Sequence, residues 1–199
     1  MVEPIIIQRG FEYFKDKIID EHFSLQIYKD ITTDIMNKYW NEFALLPASK
    51  TGKHHHPIEN VSPFGLVNHS IRVSYLASHF SDEENLTKLR DDFILAALIH
   101  DIGKVKYHRK LCIYNHHPQV GAEMVDEFIK ILPMYEIIKR MINNHMHQWC
   151  GKREMSREDN VLAYADYIAT RSEIDIQGLP YLTEDLFTDK QDDRFVKWK

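Results

Sequence analysis

The stretch FILAALIHDIGK, residues 93–104, decides the fold of this chain. Its seven consecutive apolar residues, 93–99, leave no polar face, and a helix of this kind is buried at the centre of a globular protein. The run is far shorter than the roughly 20 apolar residues that a membrane span requires. It ends directly in His100 and Asp101, two ionisable residues. The stretch therefore predicts a central buried helix that carries polar side chains at its end.

Capping patterns mark where the neighbouring helices begin. Ser62 followed by Pro63 predicts a helix that continues to about residue 80, because serine caps a helix and proline fits its first turn. Ser81 with Glu84 has the spacing of a capping box and predicts the start of the next helix.

Similar patterns occur in the second half of the chain. Pro118 and Pro133 each predict the first turn of a helix. Ser156 with Asp159 has capping-box spacing and predicts a helix over residues 157–174. The helices thus follow one another with short connections.

The sequence predicts an all-α bundle with a helical flank at its N-terminus. Residues 1–46 form this flank, with two amphipathic helices expected within 11–46 and β-type alternation only at residues 5–7. The main domain is expected over residues 47–176. The polar residues 177–199 are expected to form a surface extension.

Composition limits the classes to which this protein can belong. The chain has 199 residues, of which 44% are hydrophobic and 28% charged, and it is long enough for one compact domain. A net charge of −5 gives no overall attraction to nucleic acid. Two cysteines are too few for a disulfide framework, and residues 1–9 lack the features of a signal peptide. We therefore expect a cytoplasmic protein that does not enter a membrane.

Polar residues interrupt the apolar faces of the predicted helices. The chain contains 12 histidines, and several occupy positions where the helical pattern calls for an apolar residue. An ionisable group that faces a core is costly unless it is paired or binds a metal. Six such residues stand out: His69, His100, Asp101, His117, His145 and Asp166.

Metal binding would give these six residues a common role. Imidazole and carboxylate are usual ligands of zinc, iron, manganese and nickel, and a helix bundle can direct them inward. Asp101 has two carboxylate oxygens and could bridge two ions. Taken singly, a histidine on an apolar face is more often a hydrogen-bonded core residue, and an aspartate near a helix end is more often a cap. The combination of all six favours a metal site.

The order of these residues resembles the H…HD…D signature of the HD superfamily of metal-dependent phosphohydrolases. His69 matches the first histidine, His100 and Asp101 the HD pair, and Asp166 the last aspartate. The resemblance covers about residues 47–174 and implies the helical bundle of an HD domain. Four strings carry it: GLVNHS at 65–70, ALIHDIGK at 97–104, HPQVGAEM at 117–124 and AYADYIATR at 163–171.

Two branches of the superfamily are similar to different parts of the chain. The strings around His117 and Asp166 look like those of HD enzymes that cleave diadenosine tetraphosphate symmetrically. Residues 47–70, from PASK to GLVNHS, are similar to HD 3′–5′ exoribonucleases. The GYP branch, which hydrolyses cyclic dinucleotides, shares the ligand order, but no GYP string follows His145. The resemblance thus implies a nucleotide or a short nucleic acid as substrate.

The resemblance also implies one or two divalent metal ions, drawn from Mn, Fe, Ni, Co, Mg and Zn. The two ions would share Asp101, which is therefore expected to be catalytic. The implied ligands are His69, His100, Asp101 and Asp166 for the first ion, and Asp101, His117 and His145 for the second.

Three basic residues are candidates for binding substrate phosphate. Lys104, one turn after Asp101, resembles the phosphate-contacting lysine of the family and is also expected to assist catalysis. The alternative is a surface lysine at a helix C-terminus. Arg72 and Arg171 could each bind phosphate oxygens through two N–H groups. The alternative for both is a solvated arginine.

Some histidines leave the ligand assignment open. His116 competes with His117, although alignment on the following proline favours His117. His147 competes with His145, which the apolar stripe before it favours. The triplet at residues 54–56 is a solvated loop or a substrate contact at the mouth of the site.

We expect a phosphohydrolase in which metal-activated hydroxide attacks phosphorus. A di-iron oxygenase with the same ligands and a nucleotide-sensing module without turnover are the alternatives. Residues 11–46 could form the surface of a homodimer or pack onto the core of their own chain.

Overall fold

The computed structural model describes residues 3–48, 64–107, 116–146, 154–174 and 176–187. The described ranges are mainly helical and contain no β-strand, so the predicted all-α class is confirmed. The α-helices of four or more residues in the described ranges are, in chain order, α1 (Pro4–Phe14), α2 (Gln26–Phe43), α3 (Gly65–Glu83), α4 (Arg90–Ile99), α5 (Lys104–Tyr107), α6 (His117–Ile129), α7 (Tyr135–Asn144) and α8 (Arg157–Ala169).

Helix α4 is the buried central helix that the sequence predicts. Each residue from Phe93 to Ile99 has 0% of its surface exposed. The helix packs against α3 on one side and against α7 and α8 on others. Burying one large apolar side chain contributes about 1.5–3 kcal/mol, so this seven-residue run stabilises the bundle from its centre. It also fixes the end of α4 inside the protein.

The N-terminal flank is helical from Pro4 onwards. The expectation of β-type alternation at residues 5–7 is wrong, because these residues lie inside α1. Helix α1 continues through a π-helical turn, Lys15–Ile19, into the short α-helical segment Asp20–His22. The flank thus consists of two helical segments. The first runs from α1 to His22, and the second is α2.

The flank shares its core with the rest of the chain. The ring of Trp40 in α2 lies 5.2 Å from that of Phe14 and 6.3 Å from that of Phe64, measured between centroids. Phe14, Phe64 and Phe43 are each 0% exposed. The flank therefore packs onto the core of its own chain, and the homodimer stays a prediction.

Several predicted helix starts differ from those in the structure. Helix α3 runs past Ser81, whose hydroxyl donates to the carbonyl of Ser78 at 2.7 Å, so Ser81 does not cap the next helix. That helix, α4, begins only at Arg90, after a 3₁₀ turn. Helix α7 begins two residues after Pro133. The predicted start at residues 62–63 lies outside the described residues.

Two predicted starts are confirmed. Pro118 lies in the first turn of α6. The Ser156 hydroxyl accepts a hydrogen bond of 3.1 Å from the backbone N–H of Asp159, and the Asp159 carboxylate accepts from the backbone of Ser156. The helix that this capping box opens ends at Ala169, earlier than the predicted residue 174.

The predicted surface extension, residues 177–199, has both exposed and buried residues in the part that the structure describes. Leu182 is 0% exposed and Phe187 is 7% exposed. The Phe187 ring packs edge-on against Phe64 and Tyr13, with centroids 5.8 and 5.9 Å apart. The expectation of a surface position is therefore wrong for Leu182 and Phe187, whose apolar side chains complete the core. Among the described helices, none is long and apolar enough to cross a membrane.

Candidate metal centre

The C-terminal end of α4 is the place where the six predicted ligands meet. Each of these six residues is at most 8% exposed. The end of α4 supplies an adjacent histidine and aspartate, and the other four come from α3, the first residue of α6, the end of α7 and α8. The structure thus brings together His69, His100, Asp101, His117, His145 and Asp166.

One oxygen of Asp101 belongs to the first cluster of ligand atoms. Asp101 Oδ2 lies 3.3 Å from His100 Nε2 and 3.8 Å from His69 Nε2. Asp166 Oδ1 closes the group, at 2.9 Å from His69 Nε2 and 3.7 Å from His100 Nε2. Ligands at 2.0–2.2 Å from one ion stand about 3 to 3.5 Å apart. The ligand atoms of His69, His100 and Asp166 all lie within 4.8 Å of one another, so this group could hold a metal ion, and Asp101 Oδ2 adjoins it.

The other oxygen of Asp101 belongs to the second cluster. Asp101 Oδ1 lies 2.8 Å from His117 Nε2 and 3.5 Å from His145 Nε2. The two imidazole nitrogens are themselves 3.1 Å apart. The carboxylate of Asp101 therefore stands between two groups of ligand atoms, one on each oxygen.

Backbone carbonyls fix the orientation of two imidazoles. His100 Nδ1 donates to the carbonyl of Ala97 at 2.7 Å, and His145 Nδ1 donates to that of Ile142 at 2.6 Å. A carbonyl oxygen only accepts, so each ring carries a proton on Nδ1, and Nε2 has a free lone pair whenever the ring is neutral. Contacts of this kind orient histidines that bind metals.

Two buried atoms of the centre lack a hydrogen bond from the described residues. They are His100 Nε2 and Asp101 Oδ1. The His117 nitrogen near Asp101 Oδ1 is close, but not in hydrogen-bond geometry. Buried polar atoms without partners are costly, and both of these atoms face the clusters. A cation at the centre would satisfy Asp101 Oδ1, and also His100 Nε2 once that imidazole has given up its second proton, so the residues fit a metal.

The protonation states of the site also suit a cation. Burial alone would raise the pKa of Asp101 and Asp166, but Lys104 and the imidazole of His100 hold the first carboxyl well below its usual pKa, and His100 and His69 hold the second. Burial lowers the pKa of His69 and lowers that of His145 to about 4. Both carboxylates are thus ionised and these two imidazoles neutral, which are the forms that bind metals.

His100 shows the strength of the negative field at this place. Burial acts to lower its pKa, yet Asp101 and Asp166 outweigh burial and raise the pKa to about 10. Carboxylates that hold a proton on imidazole so firmly would equally attract a divalent cation.

Lys104 lies beside the centre and is 8% exposed. Its Nζ donates to Asp101 Oδ2 at 2.5 Å and to the carbonyl of Ala48, two residues beyond the flank, at 2.9 Å. The alternative of a surface lysine is therefore wrong, because a buried ion pair and a carbonyl hold the ammonium group against the centre.

Close backbone contact places His117 near Asp101. A Cβ atom on Gly103 would lie 2.1 Å from the carbonyl oxygen of His117 and 2.8 Å from the backbone nitrogen of Gly121. Only glycine leaves room for this approach. The turn after Asp101 therefore packs directly on the first turn of α6, which carries His117.

The sequence also matches a known protein family. The family model described as HD domain matches residues 66–171, which is more than half of the chain and includes all six clustered residues. The chain belongs to the HD domain family. Most HD domain proteins are metal-dependent hydrolases, in agreement with the ligand cluster. No curated protein and no solved structure matches the chain.

The structure separates some of the competing histidines of the HD domain. His117 is 1% exposed and lies in the cluster, whereas His116 is exposed. His145 also lies in the cluster. Its competitor His147 and the triplet at residues 54–56 lie outside the described residues.

Arg72 of the HD domain is 3% exposed and is not a solvated arginine. Its guanidinium donates to the carbonyls of Ala169 at 3.2 Å and Ile174 at 2.9 Å, and to the hydroxyl of Tyr181 at 3.0 Å. The structure thus gives Arg72 contacts within the protein in place of the expected phosphate.

Arg171 is half-buried, at the end of the region that the family model matches. Its guanidinium lies 4.3 Å from the centre of the Tyr167 ring and donates to the hydroxyl of the same residue. Of the two arginines, Arg171 is the one that keeps partial exposure.

Sequence reasoning missed one polar residue beside the centre. Asn68, next to His69, is 0% exposed and bonds to Leu182, 114 residues away. The available signal was a polar amide beside the apolar residues Leu66 and Val67 on a helix predicted to pack against the core. Its partner was beyond the reach of local patterns.

Proposed function

We propose that this HD domain protein is a metal-dependent phosphohydrolase that acts on a nucleotide or a short nucleic acid. The observation that carries the proposal is the position of Asp101. Its Oδ2 atom lies nearest the nitrogens of His69 and His100, and its Oδ1 atom nearest those of His117 and His145. This arrangement supports a pair of ions that share one ligand.

When bound, divalent ions in this set would act as Lewis acids and would acidify a water molecule that attacks phosphorus. The protein itself orients the ligands, since Ala97 and Ile142 fix the rings of His100 and His145. Burial removes competing bulk water and strengthens each electrostatic interaction of the site. Asp166, with 12% of its side chain exposed, is the most exposed of the ligand side chains in the first cluster.

Lys104 and Arg171 are the proposed contacts for the substrate. The Lys104 ammonium lies against Asp101 and would stabilise negative charge that develops on phosphoryl oxygens. Arg171 follows Asp166 by five residues and is partly exposed, so its guanidinium could bind a phosphate further from the centre. Both roles are proposals.

The test measures metal content and hydrolysis in the wild type and in Asp101→Ala. Wild-type protein freed of metal and reloaded with Mn²⁺, Ni²⁺ or Fe²⁺ is offered a panel of nucleotides, dinucleotides and short oligonucleotides. We expect hydrolysis with at least one metal. Asp101→Ala should bind less metal and lose activity by about three orders of magnitude or more, because both ligand groups lose their shared carboxylate. Circular dichroism should show that the helices persist.

His79→Ala is the matched control for removal of a polar side chain. His79 lies on α3, is paired with Glu83 at 3.3 Å and has 64% of its side chain exposed. Metal content and activity should be unchanged in this variant. Normal hydrolysis by Asp101→Ala, or no hydrolysis by the wild type under any metal, would contradict the proposal. Oxygen consumption coupled to product would instead establish the oxygenase, and tight nucleotide binding without product the sensor.

A further inference from the structure

The chain beyond the family match is fastened to α3 on both sides of His69. We call the described residues 172–174 and 176–187 the C-terminal strap. Asn68 Nδ2 donates to the carbonyl of Leu182, and the backbone N–H of Leu182 donates to Asn68 Oδ1, both at 2.8 Å. Asn68 and Leu182 are each 0% exposed. This two-way pair therefore holds the strap against α3 inside the core.

Arg72 makes the second attachment, one turn further along α3. Its Nη1 donates to the Tyr181 hydroxyl and its Nη2 to the carbonyl of Ile174, both in the strap. Its Nε donates to the carbonyl of Ala169, the last residue of α8. One guanidinium thus joins α3, the end of α8 and the strap.

The far end of the strap is attached to the flank. Arg9 Nη1 in α1 donates to the carbonyl of Phe187 at 2.9 Å, and the Phe187 ring packs against Tyr13 and Phe64. The strap is therefore held at its start, middle and end.

These attachments surround one part of the metal centre. His69 follows Asn68 directly and precedes Arg72 by three residues, and Asp166 precedes Ala169 by three residues. The 2.9 Å separation of His69 Nε2 and Asp166 Oδ1 thus depends on how α8 lies against α3. The attachments act on that same junction.

We propose that Asn68 and Arg72 are positioning residues, which fasten the strap and the end of α8 to α3 and so set the separation of His69 and Asp166. The proposal deepens the proposed function, on which its metal-binding part rests. It places the control of one half of the centre in a segment beyond the region that the family model matches.

The test compares Asn68→Ala with Leu182→Ala. The first variant removes both hydrogen bonds and leaves the backbone groups of Leu182 unpaired, whereas the second removes the buried apolar side chain and keeps those bonds. Binding of Mn²⁺ is titrated calorimetrically in each protein. Loss of contacts that orient metal ligands typically weakens binding about 10- to 100-fold. We expect this loss for one Mn²⁺ in Asn68→Ala, with any second ion less affected, and a smaller change in Leu182→Ala.

Hydrogen exchange of the metal-free proteins provides an independent measurement. In Asn68→Ala, amides of residues 166–170 should exchange faster than in the wild type. If Asn68→Ala does not fold, Tyr181→Phe removes one Arg72 bond at the strap and should show a weaker form of both effects.

Wild-type Mn²⁺ affinity in Asn68→Ala would overturn the positioning role, as would an equal loss in Leu182→Ala at equal unfolding free energy. A wild type that binds no Mn²⁺ and hydrolyses nothing would contradict the proposed function instead. In that case hydrogen exchange tests the positioning role of the strap attachments alone. Faster exchange at residues 166–170 in Asn68→Ala supports that role, and unchanged exchange overturns it.

Discussion

At the scale of single residues, burial sets the protonation of the histidines. His22 is the last residue of the flank's first helical segment. It stacks on Tyr75 of α3, with ring centroids 4.2 Å apart and planes 14° from parallel. Its Nε2 is buried and has no hydrogen-bond partner among the described residues. Burial lowers the pKa of His22 to about 4, helped by the nearby Arg90 and opposed by Asp91 and a bond to the Ser74 backbone.

The pKa of His22 predicts a loss of stability in acid. The unfolded chain takes up a proton near pH 6.5, whereas the folded protein does so only near pH 4. Between these values the unfolded state binds more protons than the folded state. The contribution of His22 to the free energy of unfolding is therefore fully present above pH 6.5 and decreases as the pH falls towards 4. The contribution is at most about 3 kcal/mol. Urea unfolding from pH 7 to pH 4 measures it.

His22→Phe is the control, since it keeps a ring on Tyr75 and cannot titrate. Other groups, including those of the metal centre, still titrate in this variant, so the difference between its pH profile and that of the wild type isolates His22. We expect a shallower profile in His22→Phe. Identical profiles would show that His22 does not contribute.

At the scale of elements, the centre depends on how closely helices approach one another. The turn after Asp101 and the first turn of α6 touch through backbone atoms, with Gly103 against the carbonyl of His117. Helix α8 meets α3 through His69 and Asp166. Ligand spacing is therefore a property of helix junctions, and small shifts at a junction move a ligand.

Gly103→Ala should damage the half of the centre that contains His117. The added Cβ would lie 2.1 Å from the His117 carbonyl oxygen, and backbone atoms cannot rotate away as side chains do. We expect a loss of about 1–3 kcal/mol in the free energy of unfolding, as for other overpacked sites. One bound Mn²⁺ should also be weakened. Urea unfolding and Mn²⁺ titration measure the two effects.

Gly121→Ala is the graded comparison for Gly103→Ala. Its added Cβ would come no closer than 3.2 Å, to the backbone nitrogen of Gly103. Its effects on stability and Mn²⁺ binding should be clearly smaller. Equal effects in the two variants would contradict the explanation by backbone contact.

At the scale of the whole molecule, the flank, the HD domain and the strap share one hydrophobic core. The ring of Phe64, at the start of α3, packs against Trp40 of the flank and also against Phe187 of the strap. Lys38 of α2 also pairs with Glu127 of α6 at 2.6 Å, although such exposed pairs contribute little. The apolar contacts are what join the three parts.

A shared core predicts that the three parts unfold together. Trp40 fluorescence in a variant with Trp149→Phe and Trp198→Phe reports on the flank, and far-UV circular dichroism reports on all helices. We expect the two urea transitions to coincide, because a continuous core unfolds cooperatively. A Trp40 transition at clearly lower urea would show that the flank is an independent unit.

Much of the fold and of the candidate site is predictable from the sequence for local reasons. The apolar run 93–99 fixes a buried helix, and the capping box at Ser156 fixes the start of α8, since both depend on neighbours within a few residues. The order and spacing of His69, His100 and Asp101 likewise identify polar groups on buried faces. The sequence by itself therefore determined the helical class, the central helix and the candidate ligands.

Only the tertiary structure decided how distant segments meet. Local patterns indicate a polar residue at 68 and an arginine at 72, but not that Asn68 bonds to Leu182 or that Arg72 binds backbone carbonyls. Local patterns also do not indicate that Phe187 is buried. Nor do they indicate that the two oxygens of Asp101 lie nearest different histidines. The physical reason is that these contacts join residues far apart in the chain, whereas helical periodicity and capping act over single turns.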